Sequence, residues 1–193
     1  MKGTWILPLL LLFLGFGIGA VSLYEASVAG FMKQMGLVGA DFEVTMVKER
    51  IEGMRQEIGE DSGCDLLSKG IDSVKYVLSK EPEKIQMAFE LGEQRMECGV
   101  RMLADERVSE GTYEIVKGMG YIARGYQLIG ENTESQPGGC GLLSGEEKNL
   151  FVNRILTTTT GKVYEIISAK WRETEEQGKV VRERCFAEQQ EMR

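Results

Sequence analysis

The sequence predicts an all-α fold of two tandem, internally duplicated helical units, about three helices each, packed as a disulfide-stapled bundle. Three observations lead there. A motif of the form I-x-x-x-x-Q-x-I-G-E…G-C-x-L-L-S runs from Ile51 to Ser68 and returns from Ile122 to Ser144. Most other segments carry apolar residues at steps of three and four, the period of a half-buried helix. Each copy of the motif also holds one cysteine, and a second follows it in the same unit, the two placed evenly about a turn signal.

The copies share Gln56/Gln127, Ile58/Ile129, Gly59/Gly130, Glu60/Glu131, Gly63/Gly139, Cys64/Cys140, Leu66/Leu142, Leu67/Leu143 and Ser68/Ser144. Phe42/Tyr113, Glu43/Glu114 and Val44/Ile115 extend the match backwards. The second copy needs about five extra residues, Thr133 to Pro137, a polar stretch ending in proline as a loop insertion does. Unit one covers residues 37–108 and unit two residues 109–193.

Residues 1–22 have the order of a secretory signal: Lys2, an apolar run from Trp5 to Ile18, then small residues at Gly19, Ala20 and Ser22. Cleavage is expected after Ala20 or Ser22. An uncleaved anchor is the alternative, since Trp5 to Leu23 is about long enough to cross a bilayer of roughly 30 Å. Pro8 and the glycines weaken that alternative. No later run is apolar enough to span a membrane. Residues 23–36 form a cap helix with Val28, Phe31, Met32 and Met35 on one side.

In unit one, a helix over about Asp41 to Ile58 precedes the first cysteine. Leu67, Ile71, Val74 and Leu78 then make an apolar stripe, and Lys69, Asp72 and Lys75 face elsewhere. A turn follows near Pro82, because proline suits the first turn of the next helix, where its missing N–H had no partner. That helix carries the stripe Ile85, Phe89, Gly92, Met96, Gly99 and Leu103, with Glu90, Glu93, Glu97 and Arg101 off it.

In unit two, a helix over Thr112 to Ile129 corresponds to the one ending at Ile58. Ser144-Gly145-Glu146-Glu147 reads as a capping box. Val152, Ile155 and Leu156, then Val163, Ile166, Ile167 and Trp171, supply apolar faces. The turn between them is expected at Thr157 to Gly161, with one continuous helix as the alternative. Beyond Trp171 an extended, exposed end rich in Glu and Arg is expected. Solvated or buried threonines are the expectation at Thr157 to Thr160, against O-linked sugar.

Cys64, Cys98, Cys140 and Cys185 in an exported chain point to two disulfides. The midpoint of Cys64 and Cys98 is Glu81, beside Pro82, and that of Cys140 and Cys185 lies between Lys162 and Val163, beside Gly161. Antiparallel helices folded at those turns bring each pair to one height, which favours Cys64–Cys98 and Cys140–Cys185. Pairings across the units remain open: Cys64 with Cys140 and Cys98 with Cys185, or Cys64 with Cys185 and Cys98 with Cys140.

The formal charge of −7 becomes −8 once Lys2 leaves with the signal, which disfavours nucleic acid and anionic membranes as partners. The chain has no histidine, the commonest general base and metal ligand. No metal, cofactor or catalytic set is expected. Glu90, Glu93 and Glu97 form a helical row of the kind a glycosidase uses, yet a solvated face explains them. Ser144 is explained by capping, and Glu60 to Asp65 has too few ligands for a calcium loop.

The expected function is that of a secreted, extracellular, non-enzymatic helical protein that binds another protein through its acidic surface. The alternative is a carrier of apolar small molecules or lipid in an inter-helix cavity lined by methionines such as Met46, Met54, Met87, Met96, Met102 and Met119. Gly92/Gly99 and Gly118/Gly125 argue instead for tightly packed helices.

Overall fold

In the computed structural model the described residues are 26–35, 48–59, 64–132 and 145–191, and apart from short links they are helical, with no strand among them. Residues 26–34 form α1. α2 spans Lys48–Ile58, α3 Leu66–Leu78, α4 Glu81–Ala104, α5 Val108–Asn132, α6 Gly145–Thr158 and α7 Gly161–Glu191. The capping box at Ser144 and the acidic loop from Glu60 to Gly63 lie outside the described residues.

Each link has a local cause. α4 starts after an extended Lys80, with Pro82 in its opening turn and Glu81 and Glu83 at its positive end. It stops at a reversal in which the Arg107 N–H bonds the Met102 carbonyl at 2.8 Å and the Glu106 N–H bonds Leu103 at 3.1 Å. This is a Schellman closure, and it places Glu106 at φ 63°, where glycine is usual. α6 ends as expected before Gly161, which sits at φ 59°. The threonine hydroxyls serve that end: Thr157 donates to the Arg154 carbonyl, and Thr158 and Thr159 donate to Ile155. Thr158 and Thr159 are buried, whereas Thr157 and Thr160 are exposed.

α4 and α5 form the central antiparallel pair. The stripe from Ile85 to Leu103 is buried throughout and meets Ile115, Met119, Ile122, Tyr126 and Ile129. Glycines set the spacing. A Cβ at Gly92 would come 2.9 Å from the Gly118 carbonyl oxygen, and one at Gly99 would come 2.7 Å from that of Gly111. Gly118 therefore acts as expected, but its partner along α5 is Gly111, while Gly125 receives the Phe89 ring.

The other helices pack around this pair. α2 brings Ile51 and Met54, α6 brings Val152 and Ile155, and α7 brings Val163, Ile167, Trp171, Val181 and Cys185. α7 does not leave the body after Trp171: Thr174, Gly178, Val181 and Cys185 are buried, and Gly178 lets the Tyr126 ring approach. On α1, Val28, Phe31, Met32 and Met35 are half-buried on one side, and Phe31 meets Tyr113 of α5 edge-on at 5.5 Å.

α3 departs from expectation. Ile71, Val74 and Leu78 are exposed, as is Val77, whereas Lys69 is 4% exposed. The helix is amphipathic, but it sits with its apolar stripe outward. The physical reason lies in what its other face meets.

Candidate functional site

α3 is fastened at its start. Cys64, two residues before the helix, is disulfide-bonded to Cys98 of α4 with the Cα atoms 5.4 Å apart. This is the pairing that the turn at Pro82 favours. Cys185 is also disulfide-bonded. The remaining cysteine, Cys140, lies outside the described residues.

The inner face of α3 closes over a buried carboxylate. Glu114 of α5 is fully buried, with Lys69 Nζ 2.9 Å from one carboxylate oxygen and Arg95 Nη1 of α4 3.0 Å from the other. Arg95 Nη2 also donates to Ser73 Oγ at 3.4 Å, and Ser73 Oγ donates to the Lys69 carbonyl at 2.7 Å. Burial alone would raise the Glu114 carboxyl. The charges of Lys69 and Arg95 together outweigh it and hold the group below the ordinary carboxylate value. Lys69 is pushed below its ordinary value because burial outweighs the attraction of Glu114, with Arg95 and Lys117 adding repulsion.

One turn further on, Tyr76 meets Tyr121 of α5 edge-on at 5.5 Å, with Lys84 Nζ 5.6 Å from its ring centroid. Lys69, Ser73 and Tyr76 lie along one side of the helix, at steps of four and three. They take the inner position by ion pairing and ring contact, so the stripe from Ile71 to Leu78 has nowhere to go but outward. Val77 and Leu78 are 68% and 77% exposed. Asp72 and Lys75 border the stripe and pair with each other at 3.4 Å.

Open clefts lie along the bundle among the described residues. One of about 750 Å³ lies beside the Cys64–Cys98 bond between α2 and α4 and includes Arg55, Gln56, Gly59, Arg101 and Asp105. Its charges are engaged: Arg55 pairs with Asp105 at 3.0 Å, and Arg101 donates to the Gly59 carbonyl at the end of α2. A second cleft of about 340 Å³ lies between α5 and α7 and includes Gln127, Gly130 and Arg184. The third, about 390 Å³, lies between α3 and α4 beside Met87. Met54, Met96, Met102 and Met119 are buried in the core, and Met46 lies outside the described residues.

Of the carboxylate row, Glu90 is exposed and accepts from Gln86, while Glu93 and Glu97 are half-buried. The Glu97 carboxyl is raised, first by burial and then by the neighbouring Glu93. Among the described residues no group of histidine, cysteine or acidic side chains could hold a metal, and no helix is long and apolar enough to cross a membrane. No protein-family model, curated protein or solved structure matches the chain.

The cluster of Lys69, Arg95 and Glu114 leaves no periodic signal in the sequence. Helical period alone sends an apolar stripe inward and lysine outward. One trace of the cluster lies in the sequence: Glu114 matches Glu43, in a stretch whose other matches, Phe42 with Tyr113 and Val44 with Ile115, are aromatic or aliphatic.

Proposed function

We propose that this chain is an exported, non-enzymatic binding protein that engages another protein through its helical surface, with the outward stripe of α3 at the centre of the contact. The observation that carries this reading is a row of exposed aliphatic side chains, Ile71, Val74, Val77 and Leu78, on a helix whose inner face is held by a buried ion cluster. Contiguous apolar surface on a water-exposed helix marks an interaction site more often than an incidental exposure. The negative balance of the chain bears on solubility and partner choice.

The same proposal includes the duplication and the second disulfide. The helices α2–α4, the last of them long, are followed by α5–α7, of which the last is again long. The cleft between α2 and α4 holds Gln56 and Gly59, and the cleft between α5 and α7 holds their sequence counterparts Gln127 and Gly130. With Cys64 and Cys98 joined, Cys140 is the partner within the chain left for Cys185. Export follows from the residue 1–22 signal and agrees with the disulfide chemistry.

The test uses oxidised wild-type protein and Leu78→Glu as paired baits in the fluid into which the source exports it. A protein recovered by wild type and lost with Leu78→Glu supports the reading. Equal recovery by both baits overturns it.

A further inference from the structure

We propose that α3 is an acid-released strap: protonation of the Glu114 carboxylate frees the helix from the α4–α5 pair, while the Cys64–Cys98 bond and the short link before Pro82 hold it at both ends. The device lies on the inner face of α3 and does not depend on what the outer stripe meets.

The contacts that seat the helix converge on one group. Glu114 is fully buried, and its two oxygens meet Lys69 Nζ of α3 at 2.9 Å and Arg95 Nη1 of α4 at 3.0 Å. Ser73, one turn beyond Lys69, is joined to the same Arg95 at 3.4 Å. On α5 itself, Lys117 adds positive charge beside Lys69 and donates to Tyr113 Oη at 3.3 Å. α1 meets α5 one residue from Glu114, at Tyr113, through the Phe31 ring. Lys69, Arg95 and Lys117 are all cations, and Glu114 is the anion that holds the first two together. The pair of Asp72 and Lys75 lies on the outer edge of α3, where water weakens it.

A proton on Glu114 removes the attraction and leaves two like charges buried side by side, which a protein interior tolerates poorly. Swinging α3 outward returns Lys69 to water and opens Arg95 to it. Ile71, Val74, Val77 and Leu78 already face solvent, so their apolar surface does not oppose the motion. α4 and α5 stay together through their glycine contacts and apolar seam, on which a proton has no hold. The motion is bounded at both ends. Cys64, two residues before α3, is bonded to α4, and only Ser79 and Lys80 separate the helix from the start of α4. A strap tethered in this way reseats when the carboxyl ionises again. The two cations hold the Glu114 carboxyl below its ordinary value of 4.5, so the strap is closed above that value and opens as pH falls through the lower folded one.

The experiment is hydrogen exchange of the oxidised full-length chain at about pH 7 and about pH 3, read as protection factors so that the intrinsic rates cancel. In wild type the α3 amides are expected to lose protection at least about tenfold at the lower pH, while those of α4 and α5 keep theirs, and to regain it on return to neutrality. Glu114→Gln should show an unprotected α3 already at neutral pH, with no further fall in acid. Lys69→Met, which takes the charge off α3, should shrink the acid fall and keeps the test decisive if Glu114→Gln does not fold. An α3 that stays protected in acid, a loss shared equally by α3, α4 and α5, or an acid fall in either variant as large as in wild type overturns the proposal.

Discussion

At the scale of single residues, two buried positions govern the molecule in opposite ways. Glu114 neutralises two cations, so Glu114→Gln leaves Lys69 and Arg95 buried around an amide and is expected to cost about 3 kcal/mol in chemical denaturation. Lys69→Met keeps the one-to-one pair of Arg95 and Glu114 and is expected to change stability by no more than about 1 kcal/mol. The sign with pH follows from the lowered carboxyl. Its stabilisation is in place above the ordinary value of 4.5 and is lost as pH falls through the folded value, so Glu114→Gln should flatten the acid limb of the stability profile. Gly99 is governed by space. Gly99→Ala places a methyl group 2.7 Å from the Gly111 carbonyl oxygen and is expected to cost about 2 kcal/mol. Gly120→Ala, in α5 with nothing within 4 Å, should add about 0.5–1 kcal/mol, and the two melting curves should move apart.

At the scale of elements, α3 differs from the central pair in how it is held. α4 and α5 interlock through glycines and a continuous apolar seam, whereas α3 is fixed by a disulfide, an ion cluster and a ring contact. Charged and polar contacts exchange with water at little net cost, so such a helix opens before the core does. Replacing Cys64 and Cys98 by serine removes a loop closure worth about 4 kcal/mol on the chain-entropy estimate. Hydrogen exchange should then show the α3 amides losing protection while those of α4 and α5 keep theirs. Uniform loss across all three helices would mean that α3 is integral to the core rather than laid upon it. The turns were legible in the sequence because proline, glycine and threonine act through their own backbone and hydroxyl chemistry: Pro82 opens α4, and Gly161 follows the end of α6. The α4–α5 reversal was not, since Glu106 occupies a left-handed position that glycine usually fills.

At the scale of the whole molecule, the cysteines tie the chain to its proposed history. If an ancestral unit was copied with its disulfide, a non-reducing peptide map of the native protein should link Cys64 to Cys98 and Cys140 to Cys185. Peptides joining Cys140 to a cysteine of residues 37–108 would break the two-unit scheme. The same map should find the mature N-terminus at Val21 or Leu23, as a signal over residues 1–22 requires.

By itself the sequence determined that the chain is helical and where helices α3, α4, α6 and α7 meet their turns, and it favoured Cys98 among the three possible partners of Cys64. Those features depend on neighbours a few residues away or on equal arm lengths about a turn, quantities a one-dimensional pattern contains. Only the tertiary structure decided which way α3 faces and which glycines touch. An amphipathic period says that a helix has two sides, but the side that goes inward is chosen by what waits there. Beneath α3 that is the Glu114 carboxylate, which takes Lys69 from α3 and Arg95 from α4, while the Cys64–Cys98 bond fixes the start of the helix.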